Sequence, residues 1–330
     1  MASSVLADPC LLTFAIIPLF LGVLYFVVRP RPIRIPIKDR HVFITGGSSG
    51  IGLAVAREAI SNGAARVSIL ARTQNKLEEA RKSIQLATGV DVATFAADVR
   101  DHDQVKKAIE AAGPIDVLIL SHGVVVAQEV EKLSLDEVKF MVDVNLIGAF
   151  NVIKAALPAM KRSDRSLPAS IAFFSSQAGQ VGIYGYTAYS ATKFGLRGFA
   201  EALQQEVISS NIHVSVVYPP DTDTPGFANE MKTRPELTNQ IAASAPQSAE
   251  FVARKAINGI KSGSFIVACS SEGFLLAIAT AGLSPQRSFL MASIEVLSMG
   301  LLRFAGLLFQ FNWYNIIAKE HNKRNKQKSK

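Results

Sequence analysis

Charge and cysteine are both scarce in this chain. Charged residues make up 19% of its 330 residues, below the roughly 25% of ordinary soluble domains, while 49% are hydrophobic. That balance excludes intrinsic disorder, which needs low hydrophobicity together with high net charge. The two cysteines, Cys10 and Cys269, are too few for a disulfide framework and lack metal-ligand spacing. A reducing compartment and no metal site are the expectation. No Asn-x-Ser/Thr acceptor for glycosylation occurs either, and no internal repeat is evident.

The net charge of +8 is concentrated in two places. Residues 29–40 carry a local +4 from Arg29, Arg31, Arg34, Lys38 and Arg40 against Asp39. Residues 319–330 carry +5 from Lys319, Lys323, Arg324, Lys326, Lys328 and Lys330 against Glu320. The remainder is nearly neutral, which argues against a nucleic-acid partner, because such proteins carry the basic patch on the folded body. Each basic run instead borders a hydrophobic one, as in a protein held at a membrane.

Residues 11–28, LLTFAIIPLFLGVLYFVV, are uncharged and meet the minimum length of a membrane-spanning helix. A cleaved signal peptide fits less well, because Asp8 rather than a basic residue precedes the run and no small-residue cleavage site follows. The arginines after the run place the chain from residue 29 onward in the cytosol by the positive-inside rule. Pro30, Pro32 and Pro36 predict a stiff linker leading away from the bilayer. Residues 288–318 are again mostly apolar, interrupted by Glu295 and Arg303, each costly at a bilayer centre. A hairpin, an interfacial helix and a segment buried against the body are all compatible with that pattern. The final Lys326-Gln327-Lys328-Ser329-Lys330 reads equally as a dilysine retrieval signal of the endoplasmic reticulum or as a basic tail drawn to anionic headgroups.

Between these ends, short β-rich runs at 41–45, 67–71, 92–96, 117–120, 171–174, 214–218 and 265–268 alternate with helical stretches at 73–87, 104–112, 135–160, 188–209 and 249–260. Near-continuous apolar strands suit a parallel sheet covered on both faces. The alternation predicts an α/β fold, a doubly wound parallel sheet of about seven strands with right-handed crossovers. Three parts follow: an anchor and linker over 1–37, a nucleotide-binding domain over 38–270, and a hydrophobic membrane-associated segment with a basic tail over 271–330.

The first strand runs into Thr45-Gly46-Gly47-Ser48-Ser49-Gly50-Ile51-Gly52 and then a helix. Glycines there let Gly46, Ser48, Ser49, Gly50, Ile51 and Gly52 bring backbone amides close to a pyrophosphate at the helix N-terminus. After the second strand, an NAD enzyme places an acid on the ribose 2′-hydroxyl. Arg72 stands here instead, with Lys76 a turn later, and a planar cation suits the 2′-phosphate of NADPH. Asp98 and Val99 follow the third strand, in place to contact the adenine, although Asp98 could equally cap the next helix. Tyr189 and Lys193 are four apart in a helical stretch and share a face. A free phenol has a pKa near 10, and a neighbouring ammonium lowers it toward the working range. Ser175 and Ser176 end the fifth strand, each able to bond a reacting carbonyl.

TGGSSGIG, FFSS and YSATK together resemble the short-chain dehydrogenase/reductase family, over roughly residues 38–270. That resemblance implies a catalytic tetrad of Asn145, Ser176, Tyr189 and Lys193, with Asn145 holding a water in the proton relay and Ser175 a second candidate for the serine. It also implies that Pro219, Thr222 and Thr224 lie beside the nicotinamide, and that Tyr189 and Lys193 help bind the cofactor. The family's Asn-Ala-Gly after the fourth strand reads Ser121-His122-Gly123 here. FSSQAGQ and YPPDTDTPGF narrow the resemblance to a membrane-bound branch that reduces a long-chain sphingoid ketone on the cytosolic face of the endoplasmic reticulum. The partners implied are a long-chain lipid ketone and membrane lipid, and a homo-oligomer is compatible. A membrane-bound steroid or retinoid dehydrogenase shares the same scaffold, and a tethered NADPH sensor without turnover is the non-enzymatic alternative.

Overall fold

In the computed structural model, residues 9–28, 33–162, 166–242 and 244–328 are described, with the side chains of the first helix known from Pro18 onward. Seven parallel strands form one sheet: β1 (His41–Thr45), β2 (Arg66–Ala71), β3 (Ala93–Ala96), β4 (Val117–Leu120), β5 (Ala169–Phe174), β6 (Ile212–Tyr218) and β9 (Ile266–Ala268). Their order is β3-β2-β1-β4-β5-β6-β9. β1, β4, β5 and β6 are buried at every position, which is why they read as unbroken apolar runs. One face is covered by α4 (His102–Ala112), α6 (Gly148–Arg162) and α7 (Thr187–Val207), through residues such as Ile109, Val152 and Leu203. The other carries α2 (Gly50–Ser61), α3 (Gln74–Thr88) and α10 (Ala249–Lys261), through Val55, Leu77 and Ile257. The order reverses between β1 and β4, and a crevice opens there at the carboxyl ends of the strands.

Three features depart from the sequence reading. The single helix expected over 135–160 is α5 (Leu135–Val142), a wider π turn at Asp143–Ile147, and then α6. Such turns cluster at functional sites, and this one contains Asn145. The linker is only partly free: its Pro30 and Pro32 lie outside the described residues, but Ile35 and Ile37 are 1% exposed and belong to the core. The Ile35 N–H donates to the Lys261 carbonyl at the end of α10. Short elements after β6 lacked periodicity enough to be foreseen: α8 (Pro225–Glu230), α9 (Glu236–Ile241), α11 (Ser271–Ala279) and the two-residue pair β7 (Thr222–Asp223) and β8 (Gln247–Ser248).

The ends are apolar helices. α1 spans Pro9–Val28, and the last 40 residues described form one helix, α12 (Phe289–Lys328). A hairpin over 288–318 is therefore excluded, because the chain does not turn. Tyr25 of α1 meets Phe289 at the start of α12 edge to face, with ring centres 5.5 Å apart. α12 is long and apolar enough to cross a membrane and is almost unburied; the stretch Leu135–Arg162 passes the same test but is 44% buried in the core. Ser329 and Lys330 of the terminal lysine motif lie outside the described residues.

Ile35→Ala is expected to cost about 2–5 kcal/mol and to lower the thermal midpoint of the detergent-solubilised protein by several degrees. An unchanged midpoint would show that this segment is a loose tether rather than part of the core.

Candidate active site

At the crevice, β1 passes into a glycine turn and α2. Gly46 and Gly50 have φ of +71° and +52°, a region that favours glycine. A Cβ on Gly52 would fall 2.3 Å from the Gly46 carbonyl oxygen, so the turn closes only without one. Ser49, the N-cap of α2, makes no side-chain capping bond, and its opening residues line a cavity of about 1280 Å³. Arg72 and Lys76 stand exposed at the rim of the same cavity. A glycine cradle at a helix N-terminus flanked by two cations fits a phosphorylated dinucleotide.

The cavity continues past Ser176, Tyr189 and Lys193 to α11 and α12. Lys193 is 4% exposed. Its Nζ donates to the Phe174 carbonyl at 2.9 Å and sits 5.6 Å from the centre of the Tyr189 ring. Burial brings its pKa down to about 8. The two serines separate clearly. Ser175 Oγ donates to the Lys193 carbonyl at 2.9 Å, whereas Ser176 Oγ accepts from the Ala178 N–H and lies on the cavity side with Tyr189, whose pKa it lowers. Burial raises the Tyr189 pKa, and Ser176 opposes that rise only in part. The direction is opposite to the activation expected from sequence, because burial dominates and the nearby Glu230 and Asp221 add to it.

Asn145 is 1% exposed and stands behind the cavity wall. Its Oδ1 accepts from the Val124 N–H at 2.8 Å, while Nδ2 donates to the Val124 carbonyl and to Thr192 Oγ1. The amide thus fastens the chain after β4 to the catalytic helix. Asp98 does not line the cavity; it forms an ion pair with Arg100 at 2.7 Å, although Val99 beside it does line the wall. Every other candidate, including Gly46, Ser48, Ile51, Pro219, Thr222 and Thr224, is brought to the cavity.

Several wall residues had no signal in the sequence. Tyr186 bonds Glu230, which with Asp221 flanks the buried Arg234; Arg234 pairs with Asp221 at 2.6 Å. These groups come from three separate segments, so only the fold unites them. His122 is different, since its departure from the family motif was visible. Its Nδ1 bonds Thr45 Oγ1 at 2.6 Å across β1 and β4, and burial holds its pKa near 3. As a neutral ring it stitches the two strands from the position where the family motif has alanine, beside Ser121 at the asparagine position.

A parallel sheet with this cradle and this Ser-Tyr-Lys arrangement defines a nucleotide-dependent oxidoreductase of the short-chain type, and the comparisons agree. The family profile described as short chain dehydrogenase matches residues 40–235, and the chain belongs to that family. Among relatives, it is 61% identical over 306 residues to 3-dehydrosphinganine reductase TSC10B of Arabidopsis thaliana, covering 92% of each chain. It is 37% identical over 321 residues to 3-dehydrosphinganine reductase of Danio rerio, covering 93% of this chain and 94% of that one. Of solved structures, actinorhodin polyketide ketoreductase with NADPH superposes with a TM-score of 0.63 at 26% identity, covering 70% of this chain and 95% of that one.

The buried Lys193 makes a testable contribution to stability. Its pKa falls from the ordinary 10.5 to about 8 on folding, so between these values the unfolded chain holds a proton that the native chain lacks. Stability then rises with pH through that window. Lys193→Met is expected to flatten this rise in denaturant unfolding of the cofactor-free protein. An identical slope in both proteins would assign it to other groups.

Proposed function

We propose that this chain catalyses the NADPH-dependent reduction of 3-dehydrosphinganine to sphinganine. The observation that carries the reading is extended identity to enzymes of that name, 61% over 92% of the chain, combined with the Ser176–Tyr189–Lys193 geometry. Gly46, Gly50 and Gly52 with the α2 N-terminus would hold the pyrophosphate, and Arg72 with Lys76 the 2′-phosphate. Pro219, Thr222 and Thr224 would border the nicotinamide. Bound there, NADPH supplies a hydride to the ketone carbon.

The protein's own part is to place and protonate the oxygen. Ser176 Oγ would orient the carbonyl beside Tyr189. Because burial keeps the phenol protonated at neutral pH, Tyr189 Oη has a proton to give as negative charge develops on the substrate oxygen. Lys193 Nζ, still largely cationic at pH 7 with a pKa of about 8, then favours the phenolate left behind. Asn145 positions rather than reacts, because its amide is engaged with Val124 and Thr192. Ser175 holds α7 against β5 from behind.

Location follows from the ends. α1 anchors the chain in the endoplasmic reticulum membrane, with the catalytic domain on the cytosolic side next to the basic run at 29–40. Protease added to sealed microsomes should digest the catalytic domain, and its protection would overturn this topology.

Purified protein offered 3-dehydrosphinganine, retinal and a ketosteroid in parallel should oxidise NADPH with the first; activity confined to either of the others would replace this reading. Tyr189→Phe is expected to lower turnover by about 10²–10⁴-fold with NADPH binding retained, measured by fluorescence titration. Near-normal turnover would remove Tyr189 as the acid. Arg72→Ala should weaken NADPH far more than NADH, and an equal loss for both would make Arg72 a structural residue.

A further inference from the structure

The catalytic cavity has a wall that no short-chain dehydrogenase motif accounts for. α12 contributes Leu302, Gly306, Phe309, Trp313 and Ile316 to it. These residues are three and four apart, a single stripe along the helix. On the other side of α12, Leu301, Phe304, Leu308 and Phe311 are between 56% and 72% exposed. A continuous apolar stripe of that kind marks contact with lipid or a partner, not water.

The inner stripe also constrains how α12 can meet a membrane. The part of the helix from Leu302 to Ile316 stands level with a site that holds polar catalytic groups and a charged dinucleotide, so it cannot sit at a bilayer centre. Before Leu302 the helix begins only at Phe289, and from Lys319 onward it is charged. Neither flank supplies the ~20 apolar residues that a crossing requires. Arg303 lines the cavity from the same turn, and a guanidinium is accommodated at the headgroup level, where its stem stays in apolar surroundings.

We propose that α12 lies in the plane of the membrane surface, with its outer stripe in lipid, and that its inner stripe, together with Leu275 and Leu276 of α11, holds the alkyl chain of the substrate. The ketone then reaches Tyr189 sideways from the leaflet without passing through water. This rests on the reading of the chain as a reductase of a long-chain ketone. The outer stripe has the chemistry of a lipid contact, the basic residues at the end of α12 match anionic headgroups, and Tyr25 of α1 meets Phe289, so the anchor and the surface helix join at one level.

Gly306 tests the channel directly. A Cβ there meets nothing within 4 Å, so Gly306→Leu puts its side chain into the cavity without a clash and favours the helix. The measurement is the ratio of kcat/KM for 3-dehydrosphinganine to that for a short-chain, water-soluble analogue of the same amino ketone, in detergent-free nanodiscs. Gly306→Leu is expected to lower this ratio about tenfold or more. Gly300→Leu, at a position that also has open space but does not line the cavity, should leave it unchanged. The sole tryptophan, Trp313, faces the cavity, so a reporter on the outer stripe gives an independent reading: with Trp313→Phe as background, the fluorescence of Phe304→Trp should be quenched in nanodiscs of brominated phospholipid. An unchanged ratio in Gly306→Leu, an equal fall in Gly300→Leu, or absence of quenching in Phe304→Trp would each overturn the proposal. Failure of the wild type to reduce 3-dehydrosphinganine at all would instead overturn the functional reading, a separate result.

Discussion

Everything at the site depends on how Lys193 ties α7 to the end of β5. Its ammonium donates to the Phe174 carbonyl and its own carbonyl accepts from Ser175 Oγ. One residue thus closes two hydrogen bonds onto adjacent residues of the strand, both in a buried setting. Hydrogen bonds to a charged donor are worth more than neutral ones, and a buried ammonium left unpaired would be costly. The consequence is geometric. Ser176, two residues past the end of β5, and Tyr189, one turn earlier on α7, have little freedom to part. Asn145 adds a third tie from the π turn, through Thr192 on the same helix.

How far this was legible in the sequence depended on whether the signal was local. Four of the seven strands, β1, β4, β5 and β6, were readable because burial at every position makes them unbroken apolar runs, and each of the seven was located to within two residues. Gly46 to Gly52 was readable because only a glycine turn closes where a Cβ would strike a carbonyl. The Tyr189–Lys193 pairing was readable because helical spacing alone sets it. What escaped depends on distance in the chain. Tyr186, Asp221, Glu230 and Arg234 meet only after folding, and the choice between Ser175 and Ser176 turns on which hydroxyl faces the helix backbone. Asp98 illustrates the reverse: a plausible cofactor contact by position, it is drawn away by Arg100 two residues later. The π turn was hidden because Asp143–Ile147 has ordinary helical composition and is widened where the Asn145 side chain turns to Val124 and Thr192.

The C-terminal extension is not an appendage. Ser270 caps α11 and also accepts from Gln177, the residue after Ser176. At the other end of α11, Arg197 on α7 donates to the carbonyls of Thr280 and Ala281 and to Ser284, while pairing with Glu201. Tyr189, Lys193 and Arg197 therefore occupy successive turns of one helix, the first two facing the chemistry and the third fixing the segment that leads to α12. Both ends of α11 are bonded to elements that carry catalytic side chains. Displacing α12 would disturb the support of the helix that carries Tyr189 and Lys193.

That construction links the electrostatics of the site to the chemistry of an apolar substrate. Tyr189 and Lys193 are set into the wall of a cavity that α11 and α12 help to form, and water is what normally stabilises both a phenolate and an ammonium. Burial in the protein pushes Tyr189 up and Lys193 down, so each group alone resists charge. Charge on one becomes favourable when the opposite charge lies nearby, because attraction strengthens as the effective dielectric falls. A proton leaves the phenol readily only toward an oxygen that is itself gaining charge, beside the ammonium that stabilises the remaining phenolate. For the proton donor proposed above, the same burial keeps Tyr189 loaded with its proton until an alkoxide is forming within reach. An open, hydrated pocket would lower the phenol's pKa and would lose that discrimination.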